Sequence, residues 1–226
     1  MAEALRRVDV AVIAEVKRRS PSKGSINPTI SAPVQARSYA EGGAAAISVL
    51  TEPEHFGGSS ADLRKVRAAV RIPVLKKDFH VDPLQAVEAR AIGASAMLLI
   101  ARALGPGALE TMVRAARDAG VEPLIEVRDE AELERALTAG TDMIGVNNRN
   151  LETLVIEAGT ATRLIPLIPA GIVAVAESGV SQRADVDAVA AAGADAVLVG
   201  SAISAAPDPR DAVRRLVGVR RVSRDR

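Results

Sequence analysis

The 226-residue sequence predicts an α/β fold: a closed (β/α)8 barrel of the TIM type, forming a single domain over 1–226. Three observations predict it. Eight short aliphatic runs alternate with amphipathic segments, without a linker or composition shift that would divide the chain. The runs are almost uniformly apolar, as parallel strands covered by helices must be. A glycine also recurs between helix and next strand, at Gly43, Gly93, Gly120, Gly140 and Gly193, where left-handed backbone ends a helix before the chain turns inward. An open doubly wound sheet would place a glycine-rich turn after its first strand. Here the first run leads into EVKRRSPSKGS, which is polar and basic.

After a short lead, Met1 to Val10, the strands are expected at 11–16 (AVIAEV), 45–50 (AAISVL), 72–76 (IPVLK), 96–100 (AMLLI), 122–127 (EPLIEV), 142–146 (DMIGV), 172–176 (IVAVA) and 195–199 (DAVLV). Apolar residues spaced by three and four mark helices at 59–70, 107–119, 129–139 and 182–192. The ending at 214–226 holds six Arg and one Asp; it reads as a solvated helix end followed by a basic tail from 218.

Composition narrows the function. Twenty-nine Lys and Arg against 28 Asp and Glu leave a net charge of +1, so no bulk field favours nucleic acid or an anionic membrane. Zero cysteines exclude thiolate catalysis and thiolate metal sites. His55 and His80 lack a second histidine at ligand spacing and read as surface loop residues, so neither metal nor cofactor is expected. With Tyr39, Phe56 and Phe79 as its only aromatics, the chain has no platform for stacking single-stranded nucleic acid. No apolar stretch approaches the ~18 residues of a membrane span, and the lead is not a signal peptide, which points to the cytoplasm.

Chemistry in such a barrel is built at the carboxyl ends of the strands. Those ends are rich in ionisable groups here: Glu15 and Lys17 on the first, Lys76-Lys77-Asp78 on the third, Glu126 on the fifth, Asn147-Asn148-Arg149 on the sixth and Glu177-Ser178-Gly179 on the seventh. Alternation along a strand gives Glu15 and Lys17 one direction and Arg18 the other. A rim ion pair accounts for any one of these charges, but charge recurring on five strand ends is the pattern of a functional site. Gly179 and Gly200, flanked by Ser178 and Ser201, follow the seventh and eighth strands, where backbone amides in such barrels bind phosphate.

The segments IAEVKRRSPSKGSINP (13–28), ISVLTEPEHFGGS (47–59), PVLKKDFHVDPLQ (73–85), PLIEV (123–127), IGVNNRNLETL (144–154), VAESGV (175–180) and VLVGSAI (197–203) resemble, in order, those of the indole-3-glycerol phosphate synthase family. The resemblance implies a (β/α)8 barrel that converts 1-(2-carboxyphenylamino)-1-deoxyribulose 5-phosphate into indole-3-glycerol phosphate, carbon dioxide and water without cofactor or metal. The family's functional residues fall on Glu15, Lys17, Ser20, Lys77, Glu126, Asn147, Arg149, Glu177, Ser178, Gly179, Gly200 and Ser201. The resemblance casts Lys77 as general acid of ring closure, Lys17 as second acid or charge partner, and Glu126 as the group that moves protons in dehydration. Glu15 and Glu177 orient the lysines and sugar hydroxyls. Ser20, Asn147 and Arg149 position the substrate carboxylate and ring, and Ser178, Gly179, Gly200 and Ser201 hold the phosphate.

Relatives usually carry some tens of residues before the first strand, folded over the pocket; only Met1 to Val10 precede it here, so an uncovered mouth is expected. Two other readings compete. A phosphate-binding barrel without turnover would need only the glycine loops, and a phosphoribosylanthranilate isomerase-like barrel would be expected to use a cysteine and aspartate pair. The expected partner is a phosphorylated small molecule, and the chain itself is expected as a monomer or weak homo-oligomer.

Overall fold

The computed structural model describes residues 1–105 and 107–224. Eight parallel strands close a barrel: β1 (Ala11–Val16), β2 (Ala46–Leu50), β3 (Val74–Lys77), β4 (Ala96–Ile100), β5 (Glu122–Val127), β6 (Met143–Asn147), β7 (Val173–Glu177) and β8 (Ala196–Val199). Each pairs with its sequence neighbours, and β1 closes the ring on β8 through the register Ala11 to Ala196. The five repeated glycines all have positive φ, from 71° to 101°, and so end the preceding helices as expected. Side-chain caps start several helices: Ser59 accepts the Asp62 amide, and Asp129 the Glu132 amide.

Alternation along the strands divides the core in two. Outward residues such as Val12, Ile47, Val74, Leu99, Ile125, Ile144 and Val197 pack beneath the helices. Inward residues Ala11, Ile13, Ala46, Leu75, Leu98, Leu124, Met143, Val173, Val175 and Leu198 fill the barrel. Aliphatic residues supply nearly all of this core, with Tyr39 its one fully buried aromatic; burial stabilises it by about 25 cal/mol per Å² of apolar surface removed from water. The inward series of the upper layer continues into polar groups. Lys77 is two residues beyond Leu75, Glu126 two beyond Leu124, Glu177 two beyond Val175, and Glu15 two beyond Ile13, so each enters the lumen at the carboxyl end of its strand.

The lead does not lie over this end. Its short helix Ala2–Leu5 packs Met1, Ala2 and Leu5 against the interior residues at the opposite end, where Glu122 accepts the Met1 ammonium and, at 2.7 Å, the Ala2 amide.

Two expectations are corrected. The basic ending is not simply solvated: Val219 accepts the Val10 amide, Arg220 bridges Asp9, and Arg224 is buried. The cause is Asp195, a buried carboxylate at the start of β8, which ion-pairs with Arg221 and, at 2.8 Å, with Arg224. Asp225 and Arg226, the last two residues of the expected tail, lie outside the described residues. Nor is His80 a surface residue: its ring is buried, with Nδ1 2.6 Å from the Leu98 carbonyl and Nε2 3.2 Å from Lys76 Nζ. Lys76 has opposite parity to Lys77, so its ammonium is buried in the helix layer and draws His80, Asp78 and Glu88 around it. Burial first, and the Lys76 charge second, push the imidazole down to about 4, so it is neutral at physiological pH. His55 is exposed, as expected.

Candidate active site

The loop after β1 folds back as a two-stranded ribbon, Arg19–Ser20 with Gly24–Ser25, over a turn at Pro21 to Lys23. Its arginines fasten it to the neighbouring loop. Arg18 leaves the lumen, as its parity requires, to pair with Asp62 at 2.7 Å and to donate to the Gly57 and Ile30 carbonyls. Arg19 donates to the His55 and Glu54 carbonyls. Glu52 accepts the backbone amides of Glu54, His55 and Phe56, which fixes the Phe56 ring beside Lys17 Nζ, 5.6 Å from the ring centre.

At the centre, Lys77 Nζ stands 3.5 Å from Glu126 Oε2 and 3.7 Å from Glu177 Oε2. Lys17 Nζ is 3.2 Å from Glu15 Oε1, and Ser48 donates to the other Glu15 oxygen at 3.4 Å. Glu15, Glu126 and Glu177 are all buried. Burial pushes the Glu177 carboxyl up to about 8; Glu126 and Glu15 add to the rise, and the Lys77 ammonium only partly opposes it. Burial alone would lower the Lys77 ammonium, but the three carboxylates overcome it and hold the group well above the usual lysine range. The cluster therefore sets a cationic ammonium beside a carboxyl that holds its proton more tightly than usual.

Asn147 completes the inward set from β6, and its side-chain oxygen accepts the Arg149 amide at 2.9 Å. The Arg149 guanidinium reaches back to the Leu154 carbonyl at 2.7 Å. Asn148 points the other way and ties the loops together, donating to the Ser178 carbonyl and accepting the Ala161 amide. Ser178 and Gly179 both have positive φ, 63° and 87°, so the chain turns sharply out of β7 there.

Three connected hollows surround the cluster. One of about 260 Å³ is lined by Lys17, Lys23, Arg149, Ser178, Gly179, Gly200 and Ser201, which brings the two predicted glycine turns together with three cations. An outer mouth of about 430 Å³ includes Ser20, whose hydroxyl accepts the Lys23 amide at 3.2 Å within the ribbon. A narrow inner slot of about 70 Å³ lies beside Lys77 and Glu126, walled by Leu50, Phe56, Phe79, Leu98, Ile100 and Leu151. Eleven of the twelve residues singled out in the sequence line these hollows, and the twelfth, Glu177, faces Lys77 at 3.7 Å.

Sequence reasoning missed the apolar slot and Lys23. The slot residues are ordinary hydrophobics whose place depends on loop paths. Lys23 could have been found from the Pro-Ser-Lys-Gly turn, which sets it on a hairpin tip beside the first strand's end. The sequence marks Gly200 only as a place of close approach to a ligand; a Cβ there would also stand 2.3 Å from Glu15 Oε1.

The family model of indole-3-glycerol phosphate synthase matches residues 1–216. A synthase of that name from a Nocardioides species is 55% identical over 215 residues, covering 95% of this chain and 82% of the relative. Indole-3-glycerol phosphate synthase 1 of Streptomyces coelicolor is 54% identical over 95% of this chain and 80% of its own length. Among solved structures, 3-hexulose-6-phosphate synthase from Salmonella typhimurium superposes with a TM-score of 0.74 at 18% identity, over 92% of this chain and 96% of that one. Thiamine phosphate pyrophosphorylase from Pyrococcus furiosus gives 0.70 at 20% identity, over 92% and 93%. These structural likenesses carry the barrel fold alone, whereas the sequence matches favour the synthase over a silent phosphate-binding barrel or an isomerase. The chain belongs to the indole-3-glycerol phosphate synthase family, carboxy-lyases of tryptophan biosynthesis.

Proposed function

We propose that the cluster around Lys77 closes the indole ring of 1-(2-carboxyphenylamino)-1-deoxyribulose 5-phosphate, with the phosphate between the two glycine turns and the aryl ring in the apolar slot. The observation that carries the reading is the position of Lys77: its ammonium sits between two buried glutamates, with a cation-lined hollow on one side of the cluster and an apolar slot on the other. A substrate that is anionic at one end and aromatic at the other fits that polarity.

In the ring-closing step the aniline nitrogen pushes electron density into the ring, and the ring carbon bearing the carboxylate forms a bond to the ribulose keto carbon. Lys77 gives its proton to the keto oxygen as that oxygen takes up negative charge. Loss of carbon dioxide leaves its electron pair in the ring. A second proton, from Lys17 or from Lys77 once recharged, leaves with the hydroxyl as water, while Glu126 removes a proton from the sugar-derived carbon next to nitrogen. Two protons enter and one departs. The net proton consumed matches the negative charge lost with the carboxylate. Glu15 and Glu177 hold the two ammonium groups in place, and Ser20, Asn147 and Arg149 orient the aryl carboxylate.

The phosphate rests on the amides of Ser178, Gly179, Gly200 and Ser201, with Lys17, Lys23 and Arg149 supplying charge. The reading needs no metal or cofactor. It carries a cytoplasmic location, because a phosphorylated intermediate is retained where it is made, and goes with a monomer or weak homo-oligomer.

Product formation tests it directly. The chain has no tryptophan, so indole fluorescence arising on incubation with the carboxyphenylamino substrate reports product alone. No emission above an enzyme-free control, with folded protein and verified substrate, would sink the reading. Ser201→Asp then tests the phosphate site: like charge should raise KM at least tenfold and leave kcat within about threefold. An unchanged KM would move the phosphate elsewhere.

A further inference from the structure

Glu177 occupies a position that its own strand does not explain. Its side chain turns down over β6, where Met143, Gly145 and Asn147 form the inward face. A Cβ added at Gly145 would stand 2.1 Å from Glu177 Oε1 and 3.1 Å from its carboxyl carbon. No side chain could occupy that space with the carboxylate where it is. Gly145 is not held as glycine by its backbone, since its φ does not lie in the left-handed region. Glycine weakens a strand interior, so the residue's use lies in the space it leaves.

The oxygen in the notch, Oε1, is buried and without a hydrogen-bond partner, while Oε2 faces Lys77 at 3.7 Å. The turn directly after β8 carries the counterpart: a Cβ at Gly200 would meet Glu15 Oε1 at 2.3 Å. The carboxylates of β7 and β1 thus both settle into glycine gaps, one within the adjoining strand and one at the end of it.

We propose that Gly145 is a positioning residue for the ring-closing site: the gap it leaves in β6 draws the Glu177 carboxyl away from Lys77 into a dry recess and so fixes how tightly that carboxyl holds a proton. The groups facing Glu177 are Lys77 from β3, Glu126 from β5 and Glu15 from β1; its register neighbours on β6 and β8 are Asn147 and Leu198, which do not titrate. A methyl group in the gap must displace the carboxylate by on the order of 1 Å to reach van der Waals distance. Movement out of the gap is toward the Lys77 ammonium, which favours the ionised form.

The experiment is a double-mutant cycle between Gly145→Ala and Glu177→Asp, read in kcat, KM and the pH dependence of unfolding free energy. Gly145→Ala should lower kcat about tenfold with KM within threefold, and move the pH window over which Glu177 titrates down by one pH unit or more. Glu177→Asp, which shortens the side chain by one methylene, should restore at least threefold of that kcat in the Ala background, although alone it lowers activity. In a Glu177→Ala background the recess is empty, so Gly145→Ala should leave the pH dependence of stability unchanged and raise stability itself by no more than about 1 kcal/mol. The inference uses the synthase reading only for kcat and KM. If the unaltered chain makes no product, that reading fails while the unfolding data still test the gap. Additive effects on kcat, or an unshifted titration in Gly145→Ala, would overturn the proposal.

Discussion

The two ends of the barrel bury the same kinds of groups and treat them differently. At the amino end Asp195 accepts Arg221, Arg224 at 2.8 Å and the Ala174 amide at 2.8 Å, so a single carboxylate joins β7, β8 and the tail. At the carboxyl end the ion pairs run from 3.2 to 3.7 Å, three glutamates share two lysines, and one carboxylate oxygen of Glu177 has no partner. Closely fitted charge holds chain segments together. Loosely fitted charge leaves donors and acceptors free for a substrate and shifts their proton affinities, at a cost in stability that the aliphatic core absorbs.

If that contrast is right, single substitutions at the two ends should fail in opposite ways. The largest effect falls on Lys77: Lys77→Met keeps the stem and removes the proton, and should lower turnover by roughly a hundredfold or more while ligand affinity stays within about tenfold. Near-normal rates in single-turnover measurements would break the assignment. At the other end, Asp195→Asn strands the buried Arg224 and should cost about 3 kcal/mol in denaturant unfolding. Turnover per folded molecule should stay within about twofold, because the site lies at the far end of the strands. A large loss of turnover without loss of stability would erase the distinction between the ends.

Proton linkage sharpens the comparison further. The folded-state pKa of Glu177, about 8, lies above its ordinary 4.5, so the native state binds that proton more tightly than the unfolded chain. The associated stability is fully present below about pH 4.5 and is lost as pH rises through 8, with a limiting slope of about 1.4 kcal/mol per pH unit. Glu177→Gln should flatten the stability profile between pH 5 and 8 and be the more stable protein at pH 8, though a poorer catalyst. Parallel profiles for the two proteins would mean that Glu177 titrates normally.

Much of this is legible in the sequence because barrel geometry turns residue spacing into direction. All eight strands lie within two residues of the apolar runs, and the opposed directions of Lys17 and Arg18 follow from their being adjacent. The polar cluster is legible for the same reason: Glu15, Lys77, Glu126 and Glu177 each break an apolar run at its carboxyl end. What escapes depends on contacts between distant segments. Gly145 sits inside the run MIGV, where a missing side chain leaves no pattern, and its significance comes from a carboxylate 32 positions further on. His80 reads as a surface residue because it stands in a polar loop; only the outward parity of Lys76 draws its ring inside. Asp195 reads as the first residue of an apolar strand, and nothing local announces that the tail's arginines return to it.

The smallest effect should come from the support behind β1, which belongs to neither end's ion pairs. The buried Ser204 hydroxyl donates to the Glu15 carbonyl at 3.0 Å and accepts the Lys17 amide at 3.2 Å. Tyr39 Oη lies 3.1 Å away and in turn accepts from Gln35 at 2.9 Å; burial pushes the phenol up to about 12, so it stays protonated throughout the working range. Ser204→Ala deletes one donor and one acceptor and leaves two backbone groups facing a methyl, which should cost about 1 to 2 kcal/mol. Because Glu15 and Lys17 hang from that same backbone, kcat/KM should fall by about twofold to fivefold, well short of the loss from Lys77→Met. Tyr39→Phe leaves Ser204 in place but takes the acceptor from the buried Gln35 amide, and should likewise cost about 1 to 2 kcal/mol, with no fall in kcat/KM beyond about twofold. Unfolding free energies and steady-state rates for the two variants measure both quantities. A drop beyond about thirtyfold in Ser204→Ala would move this serine into the reacting machinery, and the loosely fitted region would then extend through the wall of the barrel into the helix layer.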